Sequence, residues 1–387
     1  MNTSNTLRHS IRLPTVLGSA SSLLFLLLVG LAGATVPARA DEDESIYLPF
    51  VARQTPVRVG WAVGNGDDDL PGIIHTTDSG QTWTRQSVPV TTPELDAGDI
   101  SEVDERTAWA AFTAPPGVAF PYVLHTIDGG ATWITQTLPA EANHGLKSVK
   151  GVSRSEAWAS TLDGVILRTT DGGANWTVIP HPGIVMTQVN RMDVILPHIW
   201  IADSADDGAV IHSSDGGATW RREIMLNEGE EESPLTVHAV SHDLAWASGT
   251  KSLSFFRTVD GGDTWEKVIT VGGFDHLDDI CGSSDADVWG AQNGDGVNGY
   301  VHRVAAPVGG EVEHTMVKPP GMFGYTPGGL SCVNGRTAWA VAPQGVPLDP
   351  SKPTAAIALT TDGETWTQAV APADIRYWKI SMVGARR

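Results

Sequence analysis

Apolar and polar residues alternate with a period of two through most of this chain, in short runs that stop at glycine, aspartate or proline. "GDISEVD" (98–104), "TAWAAF" (107–112), "YVLHT" (122–126) and "ATWITQTL" (131–138) follow one another in this way. Such alternation, rich in Thr, Val and Trp and broken by turn residues, predicts antiparallel β-strands, four to each such unit. Beyond residue 40 no long stretch carries the 3.6-residue spacing of an amphipathic helix.

The pattern repeats. "GWAVG", "AWAAF", "AWAST", "IWIAD", "AWASG", "VWGAQ" and "AWAVA" place Trp61, Trp109, Trp158, Trp200, Trp246, Trp289 and Trp339 at intervals of 42 to 50 residues. A second signature follows six of them: "HTTDSGQTW" (75–83), "HTIDGGATW" (125–133), "RTTDGGANW" (168–176), "HSSDGGATW" (212–220), "RTVDGGDTW" (257–265) and the shorter "LTTDGETW" (359–366). The unit around Trp289 has lost it and reads "YVHRVAAPVGGEVEHTMV" instead. Seven four-stranded units of this length predict an all-β, seven-bladed β-propeller. Blade 1 has little room for its own first strand, and "DIRYWKISMVG" (374–384) is expected to supply it and close the ring.

The second signature pairs Asp78 with Trp83, Asp128 with Trp133, Asp171 with Trp176, Asp215 with Trp220, Asp260 with Trp265 and Asp362 with Trp366. Its aspartate is expected to accept amide hydrogens across its own turn, its glycines to take positive φ, and its tryptophan to fill the gap between blades. Six copies, five at the same local spacing and one a residue shorter, indicate a repeated structural task, because a catalytic site needs one asymmetric constellation. The motif S/T-x-D-x-G-x-T-W resembles the Asp-box, or bacterial neuraminidase repeat, over the whole chain beyond residue 40. The pairing of "GWAVG" with "HTTDSGQTW" in 59–83 looks most like the photosystem II stability/assembly-factor family within the sialidase-like propellers. That resemblance implies the propeller fold and, for the assembly factors, a basic patch that binds a partner. It leaves function open.

The chemistry of a sialidase is not legible. Tyr47, Tyr122, Tyr300, Tyr325 and Tyr377 are the only tyrosines, and no arginine triad accompanies them. Arg168 and Arg257, leading into Asp-boxes, read as surface residues. Lys147, Lys150, Arg154, Arg191, Arg376 and Lys379 are assigned to the innermost strands, where they match the expected basic patch in residue type. No catalytic or metal-ligating residue and no cofactor is assigned. "NGDGVNG" loosely resembles a calcium loop but lacks the glutamate of an EF-hand, so Ca²⁺ stays open.

Residues 1–40 carry an apolar run, "SSLLFLLLVGLAG", and then "ARA", which together read as a cleaved secretory signal. Without the three arginines of that segment, 22 basic residues face 45 acidic ones, a formal charge of −23. Nucleic acid is thereby a poor partner. The acids concentrate in connections on one face: Asp67, Asp68 and Asp69 in "GNGDDDLPG", Asp206 and Asp207 in "ADSADDG", Glu230–Glu232 in "NEGEEES", and Asp295 in "QNGDGVNG". The expectation is a secreted or periplasmic monomer that binds a protein or envelope glycan, cationic in character, on that face. The competing reading is a glycan-binding protein or glycoside hydrolase. Cys281 and Cys332 fall on inner strands of adjacent blades, where they form a disulfide or serve as small buried residues.

Overall fold

The computed structural model describes residues 59–384, apart from 67–69, 91–94, 114–121, 143–144, 205–208, 224, 226–232, 251, 273–275, 294–298, 323–327, 343–355 and 373. The signal segment lies outside these residues. Seven antiparallel sheets of four strands form the chain, with no helix among the described residues. It is a seven-bladed β-propeller. The inner strands of blades 2 to 7 are Asp96–Glu102, Leu146–Gly151, Val189–Ile195, Pro234–Ala239, Leu277–Gly282 and Gly329–Cys332. Blade 1 takes its inner strand from the far end of the chain, Ile375–Met382, paired antiparallel with Gly60–Gly66. The closure expected from the sequence is therefore present.

Close approach at this junction requires glycine. A Cβ on Gly64 would lie 1.9 Å from the Arg376 carbonyl oxygen, and one on Gly60 would meet the Met382 sulfur at 2.2 Å.

Between blades the seams are filled by tryptophan. The second-strand tryptophan of one blade meets the Asp-box tryptophan of the next: Trp109 with Trp176, Trp200 with Trp265, and Trp289 with Trp366, all edge-to-face at 5.8 to 6.1 Å. All seven second-strand tryptophans are buried. Blade 6, without an Asp-box, breaks the rule. There Trp246 of blade 5 packs with Val288, Val304 and Ala306, and the Arg257 guanidinium lies 5.3 Å over its ring and donates to the Ala306 carbonyl. Arg257 is 2% exposed. This corrects the expectation of a surface arginine: the missing tryptophan leaves room that the arginine stem and guanidinium occupy.

Each Asp-box closes a turn upon its own carboxylate. Asp78 accepts hydrogen bonds from the Gln81 and Thr82 amides at 3.0 and 2.9 Å and from the Thr82 hydroxyl at 2.6 Å. The Thr76 hydroxyl donates to the same carboxylate and accepts from the Gly80 amide. Asp128, Asp215 and Asp260 repeat this with Thr132, Thr219 and Thr264, while Asp171 uses the Asn175 side-chain amide. The shorter box holds Asp362 with the Glu364 and Thr365 amides. Hydrogen bonds to the ionised form push the Asp128 carboxyl down to about 2, the Thr132 hydroxyl contributing most; Asp215 is held at about 2 by Thr219. Two consecutive residues take positive φ in most boxes, Gly129 and Gly130 at 78° and 81°; Ser79 stands at 67° in the first.

The boxes also grip the preceding blade. Gln86 of blade 1 donates to the Gly129 carbonyl at 2.9 Å and accepts from the Trp133 indole at 3.0 Å. Asp128→Ala is expected to lower stability by about 0.5–1.5 kcal/mol, the worth of a lost turn bond, and to leave ligand binding intact. Urea unfolding beside a binding assay checks this; binding lost at full stability would contradict the turn-closing role.

Candidate functional site

The site grows from an irregularity in the inner strands. In a flat strand, residues facing the same side are two apart. Here the buried apolar residues of the inner strands are three apart: Leu146 and Val149, Val189 and Met192, Leu277 and Ile280, Tyr377 and Ile380. One residue is skipped in the register of six inner strands, at Gly98, Lys147, Asn190, Leu235, Asp278 and Trp378. These are β-bulges, which turn one extra side chain out of the ladder. All six skipped residues line one cavity of about 420 Å³ at the mouth of the central channel. The mouth opens at the start of the inner strands, on the face that carries the long connections between blades.

One residue further along these strands, a polar layer lies below the mouth. Arg191 of blade 4 reaches to both sides of the ring, with Nη1 3.1 Å from Asp99 of blade 2 and Nη2 3.7 Å from Asp279 of blade 6. Lys379 of the closing strand lies 3.2 Å from the other Asp279 oxygen and donates to the Gly328 carbonyl. Burial disfavours the charged guanidinium, but Asp279 and then Asp99 outweigh it and raise the Arg191 pKa. Asp279 is likewise held below the usual carboxylate range, since Arg191 and Lys379 outweigh its desolvation.

The same carboxylates bind neighbouring blades through the backbone. Asp99 accepts from the Val149 amide, Asp193 from the Ala239 amide and Asp279 from the Leu330 amide, each at 3.1 Å. Ser101, Ser331 and Ser381 do so with the Gly151, Met382 and Glu102 amides. In all six contacts the partner is the amide one residue past the equivalent position on the next blade. Cys281 and Cys332 stand in that relation too, and are joined by a disulfide with Cα atoms 5.9 Å apart. At the seam between blades 6 and 7 a covalent bond thus takes the place of a side-chain-to-amide hydrogen bond.

Of the basic residues assigned to inner strands, Lys147, Lys150, Arg191, Arg376 and Lys379 are on them. Arg154 is not: its strand ends at Gly151, and Arg154 sits in the turn that follows, on the Asp-box face. Lys147, Arg191 and Lys379 line the mouth, with Asp96 and Asp278 beside them. Sequence reading found the cations but missed their carboxylate partners and the bulges. The three-residue spacing of apolar positions was the available signal. Asp67–Asp69, Asp206, Asp207, Glu230–Glu232 and Asp295 lie outside the described residues. Among the described residues no group of three or more His, Cys, Asp or Glu side chains is arranged to hold a metal ion.

The fold defines a class, the seven-bladed propellers. No protein-family model and no curated protein matches the chain. Among solved structures it is similar to YCF48 bound to D1 peptide, at 17% identity and TM-score 0.57, over 79% of this chain and 90% of that one. YCF48 from Cyanidioschyzon merolae is similar at 13% identity and TM-score 0.55, covering 80% and 97%. The GH74 xyloglucanase from Xanthomonas campestris gives 12% identity and TM-score 0.57, over 84% of this chain and 56% of that one. At these identities the likeness concerns the fold.

Two predictions follow from the charges. Asp279→Ala removes the carboxylate of Lys379 and the longer of Arg191's two ion pairs and frees the Leu330 amide, so it is expected to cost about 3–5 kcal/mol in urea unfolding; a loss under about 1 kcal/mol would mean that water already satisfies these groups. Stability should also fall on acidification. Burial pushes His125, stacked on Trp109, and His302, bonded to His314, down to about 4. Between the unfolded value of about 6.5 and that folded value the unfolded chain binds more protons, so stability declines as pH drops through this window. A second decline follows below about 3.8, as the depressed Asp-box carboxylates protonate toward 2. Thermal melting from neutral pH to about pH 2 tests both steps; a flat profile above pH 4 would contradict the histidine part.

Proposed function

We propose that this protein is an exported, monomeric, non-catalytic propeller that binds a protein partner on the face bearing the channel mouth and the long acidic connections. One observation carries the reading. Each Asp-box carboxylate is engaged in its own turn, and Asp99 and Asp279 are engaged in ion pairs and blade-to-blade amide bonds, while the connections between blades gather on the face opposite the Asp-boxes. A rigid ring holding variable loops is suited to recognition, because loop changes leave its core undisturbed. The similar structure of YCF48 bound to D1 peptide supports the reading by fold, as a propeller that holds a polypeptide.

The acidic connections give the expected partner a cationic surface and make its binding weaken with salt. Replacing Asp67, Asp68, Asp69, Asp206 and Asp207 by Asn is expected to lower affinity for a partner isolated from the native envelope at least tenfold, with melting unchanged. Equal binding by wild type and variant would sink the acidic-face reading. Chromogenic sialosides and β-glucosides should not be turned over; turnover would move the protein to the glycoside hydrolases.

A further inference from the structure

We propose that the hollow running from the channel mouth toward blades 4 and 5 is a saccharide-binding groove. A second cavity of about 290 Å³ adjoins the first and shares Asn190, Leu235 and His276 with it, so the two form one elongated depression. Its volume suits a short oligosaccharide better than a single ion.

Charge narrows the ligand. Lys147, Arg191 and Lys379 face Asp96 and Asp278 at the mouth, and Arg191 and Lys379 are paired below with Asp99 and Asp279. Positive and negative groups are nearly balanced, which favours neither a polyanion nor a polycation. The outer lobe is lined by neutral amides and hydroxyls, Gln188, Asn190, Ser204 and Thr250 among them. Several are fixed in advance. The Asn190 amide donates to Ser204 Oγ at 2.6 Å, and Asn293 and His276 both approach Asp278 Oδ1 at 3.1 Å. Groups already oriented lose little freedom on binding.

Two observations point to hydroxyl-bearing rings. Thr236 lines the mouth, is 1% exposed, and its hydroxyl has no hydrogen-bond partner. A buried hydroxyl without a partner is costly, and a ligand hydroxyl reaching the floor would relieve it. Trp378, a bulge residue, presents an indole 39% exposed at the same mouth, whereas the seven second-strand tryptophans are buried. An exposed indole beside planar polar side chains offers a C–H-rich sugar face a stacking surface and its hydroxyls a set of partners. A peptide would instead look for successive apolar pockets; the apolar lining here is Leu235, Ala97 and Trp378.

The test of this groove does not depend on partner capture. The intact exported chain is screened on an array of defined oligosaccharides, and hits are titrated calorimetrically. At least one saccharide should bind, with Trp378→Ala and Asn190→Ala each weakening it tenfold or more at unchanged melting temperature, and Trp378→Phe retaining most of the affinity. A silent array at millimolar ligand overturns the proposal. So does saccharide binding that neither alanine variant disturbs, or a peptide that binds through Trp378 while no saccharide does.

Discussion

Ring closure by the strand Ile375–Met382 is the constraint on which the rest of the molecule depends. Blades of a propeller share no backbone ladder with one another, so an open ring would leave its first and last sheets free to separate. Pairing the end of the chain with Gly60–Gly66 puts both termini of the fold into one sheet. The ring then opens only if that sheet is broken. Gly64 is the local requirement, because a side chain there would collide with the backbone of the closing strand.

Once the ring is closed, two concentric sets of contacts hold neighbouring blades. The outer set joins an Asp-box to the blade before it, through tryptophan edges and links such as Gln86 to Gly129 and Trp133. The inner set runs round the channel, where an Asp or Ser side chain accepts the amide of the next inner strand. Blade 6 shows how the two share the task. It lacks an Asp-box, and its seams use Arg257 on one side and the Cys281–Cys332 bond on the other.

The channel mouth is built on the same inner strands. A bulge costs ladder hydrogen bonds, yet six strands carry one at the same level. Their common result is a set of bulge residues round the channel mouth, all but Gly98 carrying a side chain, above the Arg191 ion pairs. The ring is rigid because it belongs to strands, and variable because no two of its six residues are alike. That combination allows one architecture to serve many ligands.

The fold was legible in the sequence because its cause is local and repeated. Tryptophan spacing, period-two alternation and the Asp-box turn each act within one unit, so seven copies announced seven blades, and the surplus strand at residues 374–384 announced the closure. The channel mouth was not legible in the same way. Lys147, Arg191 and Lys379 could be assigned to inner strands, but Asp99 and Asp279 meet Arg191 only because blades 2, 4 and 6 face one channel. Arg154 was misplaced for a local reason, since its strand ends three residues earlier, whereas Arg257 was misjudged because it is buried at the one seam without an Asp-box. A side chain's exposure there depends on what a different blade leaves empty, and only the assembled ring decides that.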